Sequence, residues 1–500
     1  MTDSTLPALA MPQIKTVVVL MLENRSLDNL LGFLYANGEK PRAVYPPNSS
    51  PEYQGASTDL CNSYVNILGE RSTYYVTNGT PDLGIEGDWY HMPNYDPHEP
   101  FENVRNQLYA DERGKLPEVE HGDIYTLTPT MSGFAWDYDE FYTQNQAVMG
   151  SYSSVQLPVL HTLAKSYAVS DAWFASVPTQ TFANRAFSLC GTSNGAVDNS
   201  EIDGKTFEST TTLFNILGKA GKSWGLYWQN QWPASGAPLF DVFTPWLLPE
   251  MKNAPNGGVY SFDDPNDPSS FMQALKAGSL PSFSYIEPKW GGGPSVILSL
   301  NGNDYHPVSD VRLAEFDLYA LYNAIVQSPQ WPEMLLMITF DEHGGTYDHV
   351  PPTTCQSPDG KVGKSGFNFN RLGVRVPTIL ISPYIEQGLV FRSPTNQDFD
   401  HTSVIATLLR WVGVNPQTAG MGNRVANAPT FDGVLSATHQ QPKPQLLACD
   451  ASWNVQSDHS KVLKDIFDLL GEEPLKTPMN LAEFRSALTR LPRPKKTQVT

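Results

Sequence analysis

Two acidic dipeptides, Glu23-Asn24 and Asp341-Glu342, each follow an apolar run, Ile14 to Leu22 and Met334 to Phe340. Short β-rich apolar runs read as buried parallel strands, and open α/β sheets gather ligands at the carboxyl ends of such strands. The two pairs are therefore expected to meet. Three carboxylates and a carboxamide converging from distant parts of a chain suit a hard divalent cation, whose charge they offset. Spacing alone leaves a second reading open, acidic caps on a solvated sheet rim. The segment after Glu342, His343-Gly344-Gly345-Thr346-Tyr347-Asp348-His349-Val350-Pro351-Pro352, crowds ionisable residues into a glycine turn and is harder to treat as mere surface.

A hydroxyl near such a cation becomes a better nucleophile, because coordination lowers its pKa. Thr181 is the candidate. A helical pattern (Leu157, Leu160, Leu163, Ala164, Tyr167) and a strand-like stretch from Tyr167 to Phe174 lead to Thr179-Gln180-Thr181-Phe182-Ala183-Asn184-Arg185, and strand-to-helix turns often display nucleophiles. Position alone favours a plain helix N-cap for Thr181. Arg185 could grip phosphate in bidentate fashion or act as a structural partner. His98, in Asp96-Pro97-His98-Glu99, and His306, in Asp304-Tyr305-His306-Pro307, lie in proline-bearing loops, where an imidazole could bind a phosphoryl oxygen or protonate a leaving group. His401, which opens a helix at Asp400-His401-Thr402-Ser403, reads as a supporting or capping group.

The elements that must position these residues alternate between strand and helix. Thr211 to Ala220 reads as a helix closed by Gly221, Ser223 to Trp228 as a strand, and Phe283 to Ile286 as a strand before the loop Gly291-Gly292-Gly293. Val311 to Val326 has helical spacing and stops at Ser328-Pro329; Val376 to Ser382 reads as a strand and Ser403 to Val412 as a helix. This alternation predicts a mainly parallel sheet covered on both faces. Residues 38–130 carry Pro, Asn, Gly and Tyr clusters with little sustained period and are expected to form a long lid-like insertion walling a pocket. Beyond residue 435 the chain turns polar. It then carries two amphipathic patterns, near Lys461 to Leu470 and Leu481 to Leu491, and a basic tail of Arg490, Arg493, Lys495 and Lys496. The expected organisation is a catalytic domain over 1–435 and a helical extension over 436–500.

The chain has 500 residues and a formal net charge of -19, which opposes binding to nucleic acid and whole-surface adsorption to anionic membranes. No stretch approaches the roughly 20 apolar residues of a membrane span. The four cysteines, Cys61, Cys190, Cys355 and Cys449, have no C-x-x-C spacing, so a thiolate zinc site is not expected, and their number neither requires nor forbids disulfides. No basic region followed by an apolar stretch precedes Pro12, so export is expected to proceed without a cleavable signal, with cytoplasmic storage as the alternative.

Glu23-Asn24-Arg25-Ser26-Leu27-Asp28 resembles the ENRSFD signature of a bacterial phosphoesterase family that holds phosphatidylcholine-type phospholipases C and an acid phosphatase. Asp341 to Pro352 resembles its DEnGGffDHVpPP signature, and Thr181 to Arg185 is similar to its [ST]-x-P-N-[RH] nucleophile turn. The likeness extends through Met131 to Phe134, Asp304 to Pro307, Val376-Pro377 and Asp400 to Ser403, so it covers roughly residues 14–435. It departs at two places: Thr179-Gln180 replaces the usual Gly-Pro, and Ala183 the usual Pro, so Thr179 stays a rival nucleophile.

The resemblance implies a three-layer α/β/α sandwich like that of alkaline phosphatase and the sulfatases. It makes Glu23, Asp341 and Glu342 metal ligands, Thr181 both ligand and nucleophile, and Asn24, His98 and His306 phosphate-binding groups, with Asn24 also able to touch the metal. One divalent ion is implied; oxygen ligation suits magnesium, calcium or manganese, whereas the family's phospholipases imply zinc. The function implied is a phospholipase C that releases phosphocholine and diacylglycerol through a phosphothreonine, acting peripherally on membranes. A broad acid phosphatase is the alternative within the family. A non-catalytic lipid-binding protein is the alternative of another class. Trp89, Tyr90, Trp136, Tyr138, Trp224, Tyr227 and Trp228 could hold a choline cation or simply fill the core. The C-terminal extension could dock on lipid or pair two subunits.

Overall fold

The computed structural model describes residues 11, 13–36, 38–79, 90–93, 96–119, 123–138, 145–229, 242–290, 302–307 and 309–435. The chain divides into two units, Met1–Trp453 and Asn454–Thr500. The expected C-terminal helices and basic tail, Cys449, Trp89 and the loop at 291–293 lie outside the described residues.

Nine strands form the central sheet: Thr16–Leu22 (β1), Ala43–Tyr45 (β2), Ala168–Ser170 (β3), Trp224–Trp228 (β4), Gly257–Ser261 (β5), Phe283–Glu287 (β6), Met334–Phe340 (β7), Thr378–Ile381 (β8) and Leu389–Phe391 (β9). Their order is β5-β4-β6-β1-β7-β8-β3-β9-β2. Every pairing is parallel except those of β8, which runs against both neighbours. β1 and β7, TVVVLML and MLLMITF, are buried at every position, as expected of β-branched and apolar runs covered on both faces.

Helices flank the sheet in two groups. Val311–Gln327 packs with Pro158–Ser166 and Phe271–Ala277; Thr402–Trp411 packs with Thr181–Cys190 and Leu213–Lys219. The architecture is the expected α/β/α sandwich around a mainly parallel sheet. Glu315 ties the first group together: its carboxylate accepts the Val159 and Leu160 amides at 2.6 and 3.1 Å, satisfying donors that the first turn of Pro158–Ser166 leaves free.

The described parts of 38–130 carry more regular structure than the composition suggests. Ala43–Tyr45 is the edge strand of the main sheet, Cys61–Val65 and Arg71–Tyr75 form an antiparallel hairpin, and Phe101–Tyr109 is a helix. Phe101, Val104 and Leu108 are fully buried in a second core with Phe134, Tyr347 and Phe367, away from the sheet's main core. Their helical spacing was present in the sequence but short, and polar neighbours broke it up. Among the described residues no helix is long and apolar enough to cross a membrane, and Cys61, Cys190 and Cys355 are unpaired.

Candidate active site

Strand register places the two acidic pairs side by side. Leu22 on β1 pairs with Phe340 on β7, so Glu23-Asn24 and Asp341-Glu342 leave neighbouring parallel strands at the same edge. Asp341 Oδ1 accepts the Asn24 amide at 3.0 Å and the Glu342 amide at 2.7 Å, which locks the two turns together. Asn24 has φ 57, and Gly344, φ 59, lies so close that an added Cβ would meet the Asn24 carbonyl at 2.0 Å. Glycine is required there because only it combines a positive φ with that backbone approach.

Glu23, Asn24, Asp341 and Glu342 are all buried, which excludes the reading of acidic caps on a solvated rim. Three of their oxygens, Asn24 Oδ1, Asp341 Oδ2 and Glu342 Oε1, receive no hydrogen bond. Burial, reinforced by Asp341, holds the carboxyls of Glu23 and Glu342 well above the ordinary carboxylate range. Glu99 is raised in the same sense by burial and then by Glu342. Buried acceptors without donors and carboxylates that repel one another are what a divalent cation would satisfy, so the donor set fits such an ion.

Thr181 is the first residue of helix Thr181–Cys190, but its hydroxyl is not the cap: Gln180 occupies the N-cap position and makes no side-chain capping bond. Thr181 Oγ1 instead faces Glu23 Oε2 at 3.4 Å. The rival Thr179 is fully buried and donates its hydroxyl to the Val197 carbonyl. Asn184 fixes the turn between them, accepting from the Val177 amide at 3.1 Å and donating to the Thr179 carbonyl at 2.8 Å. The departures at Thr179-Gln180 and Ala183 thus leave Thr181 as the hydroxyl presented to the acidic cluster.

Arg185, one turn further on, is fully committed. Nε donates to Glu23 Oε1 at 2.8 Å and lies 3.3 Å from Asp341 Oδ2, Nη2 reaches the Met21 and Leu22 carbonyls at 3.1 Å each, and Nη1 reaches Tyr285. Its guanidinium lies 4.6 Å from the centre of the Trp290 ring. Of the two roles open from sequence, phosphate grip or structural partner, this geometry is that of a partner that aims Glu23 at Thr181.

His306 and Asn24 converge, with Nε2 2.8 Å from Asn24 Nδ2. Asn24 Nδ2 also donates to Glu99, and Asp96, Glu99 and His306 offer ligand atoms within 4.8 Å of one another. His98 shares that loop; its Nδ1 sits 3.5 Å from Asp137, while Gln107 holds its carbonyl at 2.7 Å. His401 supports from behind, its Nε2 2.6 Å from the Asp341 carbonyl. His343 is buried against Gln107 and held neutral, its pKa lowered to about 3 by burial. Asp28, Asp348 and His349 also cluster, but they are already paired within the protein: Arg375 Nη2 lies 3.0 Å from Asp28 and its Nε 2.9 Å from Asp348, and His349 Nδ1 lies 2.6 Å from Asp28.

Glu99 and Trp290 are the neighbours of the candidate site that sequence reasoning missed. Glu99 stood beside His98 in the same motif, and its acidity next to a candidate phosphate ligand was the available signal. Of the aromatics, Trp224, Tyr227 and Tyr138 are core residues, and Tyr90 stacks on Arg312 at 4.4 Å.

The Phosphoesterase family matches residues 14–415. Non-specific phospholipase C4 of Arabidopsis thaliana is 34% identical over 404 residues, 79% of this chain and 67% of its own. Phospholipase C A of Mycobacterium tuberculosis is 29% identical over 294 residues, 53% of this chain and 52% of its own. A solved protein in the alkaline phosphatase superfamily from Vibrio parahaemolyticus aligns over 56% of this chain and 65% of its own, with 13% identity and a TM-score of 0.33. The family match spans nearly all of the described core and takes in every residue of the acidic cluster and the nucleophile turn, so the chain belongs to the Phosphoesterase family and is a phosphoric ester hydrolase.

Proposed function

We propose that the protein is a phospholipase C that cleaves phosphatidylcholine-type lipids to diacylglycerol and phosphocholine, with Thr181 as nucleophile and one divalent cation, zinc by the family resemblance, held by Glu23, Asn24, Asp341, Glu342 and Thr181. The observation that carries this reading is the Thr181 hydroxyl at a helix N-terminus, 3.4 Å from Glu23 and beside buried oxygens without donors. The relatives named phospholipase C support the lipid diester as substrate class.

The cation would supply Lewis acidity at the phosphoryl oxygens and lower the pKa of the threonine hydroxyl. The chain's own groups do the rest. Arg185 and the register of β1 on β7 hold Glu23 toward Thr181. Thr181 Oγ1 gives its proton to Glu23 Oε2, which it faces, and forms a bond to phosphorus as the bond to the diacylglycerol oxygen breaks in line with it; that oxygen takes a proton, for which His306 and His98 are the donors at hand. Water then attacks the phosphothreonine. Its oxygen bonds to phosphorus, Oγ1 leaves and regains a proton, and phosphocholine is released. The N-terminal end of Thr181–Cys190, with its positive dipole end, favours the anionic phosphoryl group in both steps.

The test is to supply phosphatidylcholine vesicles to protein reconstituted with zinc, magnesium, calcium or manganese in turn, and to identify the soluble product by phosphorus NMR. Phosphocholine from the wild type and none from Thr181→Ala is expected. Phosphate released only from a monoester, with the lipid untouched, would replace this reading with that of an acid phosphatase. Rapid acid quench with phosphorus-labelled lipid should leave label on Thr181.

A further inference from the structure

We infer that the hairpin Cys61–Val65/Arg71–Tyr75 is a membrane-insertion element whose tip, Ile67 and Leu68, enters the hydrocarbon of a zwitterionic phospholipid bilayer. The inference deepens the phospholipase reading by naming the surface on which that site works.

Ile67 is 101% exposed and Leu68 78%, and they are the one adjacent pair of large exposed aliphatics among the described residues. Other exposed apolar side chains, such as Val155 and Val362, stand singly, which is ordinary for a soluble surface. The tip is also built for a medium without water. Asn66 Oδ1 accepts the Leu68 and Glu70 amides at 2.9 Å each, the Asn66 amide donates to the Glu70 carbonyl at 3.0 Å, and the Gly69 amide donates to the Asn66 carbonyl at 2.9 Å. The turn therefore satisfies these backbone groups internally and presents two aliphatic side chains outward, which lowers the cost of bringing the loop into a bilayer.

The base of the hairpin is tied to the catalytic edge. Asn62 accepts the Phe134 amide at 3.1 Å and donates to the Met131 carbonyl at 3.0 Å. Phe134 in turn packs edge-on against Tyr347 at 5.3 Å and His343 at 6.0 Å, both in the turn that begins with Asp341-Glu342. Charge selects the surface. A formal net charge of -19 repels anionic lipid, and the hairpin's own Arg71 is already paired with Glu112 at 2.9 Å, so attraction must come from apolar insertion into a bilayer without net charge. A convex pair of side chains suits a deformable lipid phase better than a rigid protein surface, which would need a matching pit.

The test compares Thr181→Ala protein, which binds without turnover, with the same protein also carrying Ile67→Ser and Leu68→Ser. Flotation is measured with vesicles of phosphatidylcholine and of phosphatidylcholine mixed with phosphatidylglycerol. The double substitution should weaken binding to phosphatidylcholine by about a hundredfold, and phosphatidylglycerol should weaken binding of the parent. With Thr181 intact, the substitutions should leave turnover of soluble p-nitrophenyl phosphorylcholine unchanged. Equal vesicle affinity for both proteins overturns the inference, and so does a smaller size on gel filtration for the substituted protein, which would make the tip a contact between copies. A Leu68→Trp variant gives an independent reading: its fluorescence should be quenched by lipid brominated in the acyl chain, and absence of quenching counts against insertion. If the tip binds vesicles while no phosphorylcholine ester is hydrolysed, the docking surface stands and the phospholipase reading falls.

Discussion

Replacing Arg185 with Met separates a positioning role from a substrate-binding one. Methionine fills similar volume but leaves Glu23 and Asp341 without their guanidinium and the Met21 and Leu22 carbonyls without a donor. Removing one partner from a buried, hydrogen-bonded pair costs about 3–5 kcal/mol, because the remaining charge stays desolvated. In metal-free protein the loss should lie in that range, measured by urea unfolding in the presence of a chelator. A saturating divalent cation should recover part of it, since the ion compensates the same carboxylates and binds only the folded state. Turnover of the soluble phosphorylcholine ester should fall through kcat with KM little changed, because Glu23 loses its aim at Thr181 while substrate contacts remain. Arg185→Lys should lose less stability than Met, as an ammonium keeps one ion pair without the fork that reaches both carbonyls. A variant with unchanged metal-free stability and a raised KM at constant kcat would refute the argument and return Arg185 to the phosphate.

Three further outcomes are expected. Thr181→Ala should lower turnover by about 10^4-fold or more, whereas Thr179→Ala should cost about 1 kcal/mol of stability from its lost bond to Val197 and keep most activity; the reverse pattern in steady-state kinetics would make Thr179 the nucleophile. Because Glu23, Glu99 and Glu342 have folded pKa values above the ordinary carboxylate value of 4.5, their contribution is fully present below that value and is lost as pH rises through the raised ones. Metal-free protein should thus show a melting temperature that falls on going upward from pH 5, and saturating cation should flatten that slope. Burial raises the Glu315 pKa to about 7, so its stabilising contribution at acid pH decays through neutrality. Glu315→Gln, which removes one of the acceptors for the Val159 and Leu160 amides, should be the less stable protein at pH 5, and the gap should close by about 2 kcal/mol by pH 8 in parallel urea titrations.

What the sequence could show of this site follows from which interactions leave a pattern along the chain. A strand buried on both faces must be apolar throughout, so β1 and β7 announce themselves. Parallel neighbours in one sheet end on the same edge, and for that reason alone Glu23 and Asp341 could be expected to meet. Thr181 was visible through the same logic, at a turn between a strand and a helix. Arg185 was visible as a residue but not as a role, because phosphate grip and carboxylate partnership demand the same side chain at the same helical turn. Only burial and the direction of Met21 and Leu22's carbonyls decide between them, and neither is periodic. Glu99 and Trp290 left weaker traces still, since their loops owe their paths to long-range contacts such as the hydrogen bond from Asn24 to Glu99. The helix Phe101–Tyr109 shows the opposite failure. Its apolar spacing was present, yet the glycine and proline around it hid a buried helix inside the expected insertion. In the proposed reaction that segment matters because it sets Gln107, which holds both the His98 carbonyl and His343. His98, the proposed phosphate ligand, on one side and the turn after Glu342 on the other are thereby fixed to one short helix, so a substitution that unpacks Leu108 from the second core should disturb both at once.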